Sequence, residues 1–538
     1  MWTDFTHFFS TTVFFTLAVF GILIFITIYL YRTSEFFSFK KLKISILILT
    51  FLEVAVLILF FIFQKSPQNK LRIAIFPFQY QGTGEQNEWL AWGLSDLTEY
   101  AIPTDSNVSY FLYRLDHTRQ IIAADSASDR NYLIRFAQQL KLDFFLSGSL
   151  VDSCGKFQGD YFIYSLQNGN FIKKSFSFQT VDGLAGMSAE IARNFLAALP
   201  SDKRPKTDQF SHLQISSLQN YFNAHIKLNE QHDQLAEQYL NQAILADSMN
   251  VLAWIQLAKC EILAARRDHQ SIVSGNEKAQ RYLITTQKID SSWVSIYLYR
   301  AEIFILNRKY ENAARELFKA YQLDPANPAV LLDLTQLHRS RYSHLGFADE
   351  IEIFNQALFL NPGYVEAALA LSNHYIEYLQ DYVIAIKTIE RILRINPNHV
   401  PLLMELGRLY IATSQTLKVL KTFEKLFAID PDNANIYYNL GIFYFNRRDY
   451  QNALRLFERA IQLNNHLDAY LYAAYIYEDF GHQETDRIRR KKLLEQAITH
   501  LRYRIKNKLG PDDLYAKTAR TRLYNIFHRQ EYSNLGLK

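Results

Sequence analysis

The chain has 538 residues, room for several domains, with 58 Lys and Arg against 53 Asp and Glu and a net charge of only +5. So small a bias over so long a chain gives no footing for nucleic-acid binding. The two cysteines, Cys154 and Cys260, fall in different predicted domains; with no C-x-x-C, no H-E-x-x-H and no Cys/His cluster, neither a metal site nor a cofactor is expected.

Residues 8–31 contain no charged side chain, and 24 residues suffice to cross a bilayer core with some tilt. A second apolar run covers 44–63. Asp4 precedes the first run and no Lys or Arg does, so it reads as a retained span and not a cleaved signal. Residues 1–64 are therefore predicted to form a two-helix transmembrane hairpin with the lipid bilayer as its partner. The loop 32–43 holds Arg32, Lys40, Lys41 and Lys43 against Glu35, and the flank after the second span holds Lys65, Lys70 and Arg72. Four cations against three put the loop in the cytoplasm and the soluble region outside it. Glu53, at the middle of the second span, is an intramembrane carboxyl with two open readings: a functional group, or a protonated side chain hydrogen-bonded to a hydroxyl of the first span or to a second copy.

A compact α/β domain is predicted over 65–200. L-R-I-A-I-F-P-F at 71–78 has a buried-strand pattern ended by Pro77, and a helix follows at 87–101. Next come a strand near 108–114, a helix at 129–141, strands at 143–151, 157–166 and 170–178, and a helix at 183–198. G-T-G-E at 82–85 lacks the Lys-Ser/Thr of a phosphate loop and reads as a turn. The strings I-A-I-F-P-F, W-G-L-S-D-L, F-L-S-G-S-L and Y-F-I-Y-S-L-Q-N-G resemble the envelope-domain family of the TolB amino-terminal domain and FlgO. Trp92 and Asp96 depart from that family's usual Asp and Glu. The resemblance implies a bacterial inner-membrane protein with an extracytoplasmic sensory or interaction module, as in cyclase-associated and CadC-like membrane proteins. So few residues precede the first span that output is expected to come from a partner.

The polar, Pro-interrupted stretch at 201–212 is a linker. Beyond it, seven segments end alike: A-D-S at 246–248, I-D-S at 289–291, L-D-P at 323–325, L-N-P at 360–362, I-N-P at 395–397, I-D-P at 429–431 and L-N-N at 463–465. Successive steps are 43, 34, 37, 35, 34 and 34 residues, the long first step fitting an insertion around 266–277. A period near 34 with a helix-breaking end marks a helix–turn–helix solenoid. In residues 434–467, Tyr437, Leu440, Gly441 and Tyr444 share one helical face, and Ala453, Phe457 and Ala460 form a second stripe. The pattern resembles the tetratricopeptide repeat. Counting back from each end, the equivalents of Ala453 are Ala236, Ala279, Ala313, Glu350, Ala385 and Val419.

The fold class expected is thus mainly α: the transmembrane hairpin, the small α/β domain, and a tetratricopeptide α-solenoid of about seven repeats over 213–480. The resemblance implies that a protein or peptide partner lies on the concave face of the first helices. By repeat position that face includes Glu302, Met404, Arg408, Ile411, Tyr438, Ile442 and Asn446, with no consistent Lys/Asn clamp for a terminal carboxylate. Residues 481–538 are expected to close the stack as a basic helical cap. Its segment 487–508, with nine Lys/Arg and one Glu, is either a solvated end cap or a site for an anionic partner. With no Ser/His/Asp set and no G-x-S-x-G, the chain is expected to be a non-enzymatic membrane-anchored scaffold in the bacterial envelope. The alternative is an extracytoplasmic sensor that binds a ligand at its α/β domain.

Overall fold

The computed structural model describes residues 70–82, 85–104, 110–113, 129–153, 156–200, 204–205, 210, 212–230, 232–267, 272–510 and 512–537. The two predicted spans and Glu53 lie outside them. Among the described residues, no helix is long and apolar enough to cross a membrane.

The α/β domain is built on one sheet of six strands: β1 (Leu71–Ile75), β2 (Gln79–Gln81), β3 (Tyr110–Tyr113), β4 (Phe144–Ser153), β5 (Lys156–Ser165) and β6 (Phe171–Phe178). The order is β3-β1-β4-β5-β6, with β2 also on β4. β1 and β2 both run parallel to β4, Ile73 opposite Phe144 and Gln79 opposite Ser149. They line the same side of β4 one after the other, separated where Pro77 offers no N–H to the ladder. β4, β5 and β6 form an antiparallel meander. Helices α1 (Trp89–Tyr100), α2 (Arg130–Gln139) and α3 (Leu184–Ala198) complete the domain. The strand and helix order is the one the sequence pattern predicts, with the short β2 added. A Cβ at Gly93 of α1 would stand 2.8 Å from Leu184 of α3 and 3.2 Å from Phe222, so the glycine permits the approach of three helices.

The solenoid comprises eight stacked hairpins among the described residues. In order they are α4 (Ile215–Asn229) with α5 (Asp233–Ala246), α6 (Val251–Arg267) with α7 (Ile272–Ile289), and α8 (Val294–Leu306) with α9 (Tyr310–Leu323). The fourth pairs α10 (Pro328–Leu334) with α12 (Glu350–Leu360), with the short α11 (Arg339–Tyr342) between. Then follow α13 (Val365–Glu377) with α14 (Tyr382–Leu393), α15 (Val400–Ala412) with α16 (Thr416–Ile429), α17 (Ala434–Asn446) with α18 (Tyr450–Asn464), and α19 (Leu467–Gln483) with α20 (Arg487–Lys506). A last helix, α21 (Leu514–His528), closes the stack.

Close helix approach comes from the small residues. A Cβ at Gly441 would fall 2.6 Å from the Phe457 ring, and one at Gly407 would fall 2.9 Å from Phe423. Ala236, Ala279, Ala313, Ala385, Val419 and Ala453 are all fully buried. Glu350 is not: it opens α12, and Ile353 fills the buried slot one turn on. The cause is the broken first helix of this hairpin, where a 3-10 turn and left-handed Gly346 replace the second half of α10. The 43-residue step is absorbed by longer helices, 17 residues in α6 and 18 in α7.

The repeat ends have a physical role beyond helix breaking. Asp247, Asp290, Asp324 and Asn361 each accept the N–H two residues on, at 2.9–3.2 Å, making Asx turns that swing the chain into the next hairpin. The turns inside hairpins close differently. Arg308, Ser414 and Arg448 adopt left-handed backbone, and the following N–H reaches back five residues, as in Gln415 to the Tyr410 carbonyl at 2.9 Å.

The α/β domain docks into the solenoid. Trp89 of α1 stacks on Phe222 of α4 (6.5 Å), and Tyr100 meets Trp293 edge-on (5.5 Å). Farther along, Arg72 covers the Phe359 ring and donates to the Phe359 carbonyl at 2.6 Å, and Phe111 packs edge-on against the same ring. Ile395, after α14, joins the apolar core of α2 and β1. The domain thus bridges the first five hairpins.

Candidate partner-binding surface and cavity

In the second, third and fourth hairpins, positions 2, 5, 6 and 9 counted from the start of the first helix face one cavity. In α6 these are Leu252, Ile255, Gln256 and Lys259; in α8, Ser295, Leu298, Tyr299 and Glu302; in the fourth hairpin, Ala329, Leu332 and Asp333 of α10 and Gln336 just past its end. All twelve line one cavity of 690 Å³, whose other wall is the α/β domain: Asp96, Glu99 and Tyr100 of α1, with Ile102 and Thr104 beyond it. The inner face of the early hairpins is therefore roofed, and the roof leaves a chamber beneath it.

Glu302 lies in this chamber and not on an open groove. Its carboxylate takes a hydrogen bond from Arg266 at 2.8 Å, and burial pushes its pKa up against the pull of Arg266 and Lys259. Asp333 sits beside it. Burial, then the neighbouring Glu302 carboxylate, drives Asp333 up to about 8, with Arg266 acting the other way and Gln336 donating to it at 3.0 Å. Arg266 falls within the predicted insertion; the lengthened α6 projects it two turns beyond Lys259, where it reaches across to α8.

The remaining predicted residues form a separate, open set. Met404, Arg408 and Ile411 lie at i, i+4 and i+7 on α15, and Tyr438, Ile442 and Asn446 at i, i+4 and i+8 on the neighbouring α17. Arg408 and Asn446 are exposed, and the other four are half-buried. Arg408 is held on its own helix by Glu405 through two bonds, 2.8 and 3.0 Å. Tyr438 stacks on His466 (4.3 Å) and meets Tyr472 edge-on, which fixes its ring between the seventh and eighth hairpins. The structure unites these six and leaves Glu302 apart from them.

At the far end, the basic segment divides. Arg504 of α20 is 1 % exposed, bonded twice to Asp513 (2.7 and 2.8 Å) and once to Asp468 (3.1 Å). Asp513 also caps α21 through the Ala516 N–H at 3.0 Å. This arginine belongs to the closing joint and not to a basic surface. Arg487, Arg489 and Lys492 are exposed.

Sequence reasoning missed Asp333, Lys259 and Tyr299 as lining residues. The signal was present: Lys259 and Gln336 are the repeat equivalents of Glu302, and Tyr299 is the equivalent of Asp333.

Comparison with known proteins agrees with the repeat. The tetratricopeptide repeat family matches residues 434–467, the α17–α18 hairpin with its exit turn. No curated protein matches the chain. Similar solved structures include a human IFIT1 dimer with PPP-AAAA, 15 % identical over 65 % of this chain and 84 % of that one, TM-score 0.42. A tetratricopeptide repeat protein from Parabacteroides merdae is 15 % identical over 53 % of this chain and all of its own length, TM-score 0.31. Pseudomonas aeruginosa pilF is 16 % identical over 41 % of this chain and 95 % of its own, TM-score 0.30.

Proposed function

We propose that this tetratricopeptide-repeat chain is a non-enzymatic scaffold, held at a bacterial inner membrane by the spans predicted at 8–31 and 44–63, that grips a protein partner on the inner face of its solenoid. The observation that carries the reading is the stack of eight hairpins presenting side chains of mixed polarity from α15 and α17. Such a face suits an extended segment or a partner helix, which gains affinity from many shallow contacts along its length. The docked α/β domain sets where that groove begins. The reading places the soluble region on the extracytoplasmic side and its partners among envelope components.

The test is recovery of the full-length protein from its own membranes with a photocrosslinker placed at Asn446, followed by mass spectrometry. Arg408→Glu, which also repels Glu405, is the companion variant. A partner crosslinked at Asn446 and lost from the Arg408→Glu protein, with melting temperature unchanged, is the expected result. Equal recovery with and without that change would overturn the reading.

A further inference from the structure

We propose that the turn edge of the fifth and sixth hairpins is a self-association surface, on which a second copy of this chain docks about a two-fold axis. The inference goes beyond the scaffold reading and does not depend on it.

Turns inside successive hairpins lie side by side along one edge of a helical solenoid. Here Tyr382 and Glu377 of the fifth hairpin are both within electrostatic reach of Arg408 on α15, and Arg447 of the seventh donates to the Thr416 hydroxyl of the sixth at 3.1 Å. Between those contacts the edge is apolar. Tyr378 and Leu379 in the turn, Tyr382, Val383 and Ile384 opening α14, and Leu417 and Leu420 on α16 are all exposed, Leu417 by 83 % and Tyr378 by 73 %. The hairpins do not need these side chains for their own packing. Val383 and Leu417 stand two residues before the buried Ala385 and Val419 of their second helices. The same position is exposed in each of the first seven hairpins, and in the others it holds Gln234, Glu277, Glu311, Ala348 and Gln451. Leu379, just before the left-handed Gln380, stands where the third, sixth and seventh turns have Asn307, Thr413 and Arg447. Scattered singly, exposed apolar residues need no explanation; side by side at equivalent positions of neighbouring repeats, they mark an interface.

Area and charge point to a second copy as the occupant. At about 150–200 Å² for a fully exposed residue of this size, the seven offer roughly 700 Å². That exceeds the largest apolar patch of a typical monomer, about 300–600 Å². Two copies face to face would bury about 1,400 Å², within the range of about 1,200–2,000 Å² of specific protein interfaces. The flanks carry opposite charge. Glu377 and Asp381 lie on the fifth hairpin, Lys418 and Lys421 on the sixth. A two-fold axis between the hairpins brings the acidic flank of each copy to the basic flank of the other, because such a contact pairs each residue with its counterpart twice. A bilayer surface does not fit that pattern, since anionic headgroups would meet Glu377 and Asp381 beside Leu379.

The test is sedimentation velocity of the full-length protein in density-matched detergent over a wide range of concentration. The parent is compared with Leu417→Asp, Glu377→Lys, Lys421→Glu and the Glu377→Lys/Lys421→Glu double reversal. Leu417 lies in the first turn of α16, where a carboxylate is favourable to the helix, and equal circular dichroism spectra establish that the fold is retained. The expected result is a monomer–dimer equilibrium whose dissociation constant rises about tenfold or more with Leu417→Asp. Each single reversal should weaken the dimer severalfold, and the double reversal should return it toward the parent value. A parent that stays monomeric at every concentration would overturn the inference, whether the patch is bare or covered by another segment of the chain. A dimer indifferent to Leu417→Asp would place self-association elsewhere and overturn it as well. Single reversals that weaken the dimer, with no recovery in the double reversal, would overturn the two-fold arrangement.

Discussion

At the scale of single residues, the structure holds buried ionisable groups of two opposite kinds. Arg504 and Asp513 are matched: the Arg504 bonds, then the backbone N–H groups of Leu509 and Ala516, hold the Asp513 carboxyl well below the usual carboxylate range. A depressed carboxyl contributes stability that is present above its unfolded pKa and is lost as the pH falls through the folded value. Arg504→Met leaves Asp513 and Asp468 without their cation and is expected to cost about 3–5 kcal/mol, read by denaturant unfolding at neutral pH. Asp333 is the reverse. Its pKa is raised from 3.8 to about 8, so the folded state binds the extra proton and the protein loses stability as the pH rises between those values. The charged and titratable groups facing it are Glu302 on α8, Arg266 on α6 and Tyr364 at the start of α13. Asp333→Asn should therefore flatten the fall in melting temperature between pH 5 and pH 8, and at pH 8 melt no lower than the parent. A parent protein whose melting temperature does not fall over that interval would contradict the assignment.

At the scale of elements, the hairpin turns set the prediction. Ser414 adopts left-handed backbone at φ 57° with a side chain that is exposed. That conformation costs a non-glycine residue about 1 kcal/mol. Ser414→Gly should recover most of it, and because Gln415 caps α16 with no side-chain bond, Gln415→Asp should add about 1 kcal/mol more. Asp381 and Asp449 already supply that cap at the equivalent positions, to the N–H groups of Ile384 and Asn452. Thermal melts of the two variants and their combination test this, and the neighbouring sites need not add. These elements are also where the sequence was most legible. Buried Ala313 or Ala453 and the Asx-turn residues recur because every hairpin solves the same local packing problem, so counting finds them. Glu350 keeps its place in the count, since Phe354 and Ala357 are buried at the equivalents of Phe457 and Ala460, but α12 starts at Glu350 itself, so the position falls at a helix end instead of inside the packed stripe. The short β2 was unread because three residues after a proline show no periodicity. Docking of Tyr100 on Trp293, and with it the chamber around Glu302, follows from contacts between residues about 190 positions apart that no repeat pattern encodes.

At the scale of the whole molecule, the predicted topology makes one clear demand. With the 32–43 loop in the cytoplasm, protease added to spheroplasts should digest residues 70–538 from outside; protection until detergent is added would place the solenoid in the cytoplasm and reverse the charge argument. A stack of hairpins behaves as a spring, since each joint between neighbours yields a little and the yields accumulate. Here the α/β domain is fastened at Phe222, Trp293, Phe359 and Ile395, across the first five hairpins. That fastening acts as a splint. Pitch and curvature can change only in the coils from α15 onward, so strain applied by a bound partner would be taken up there, while the chamber around Asp333 keeps its dimensions.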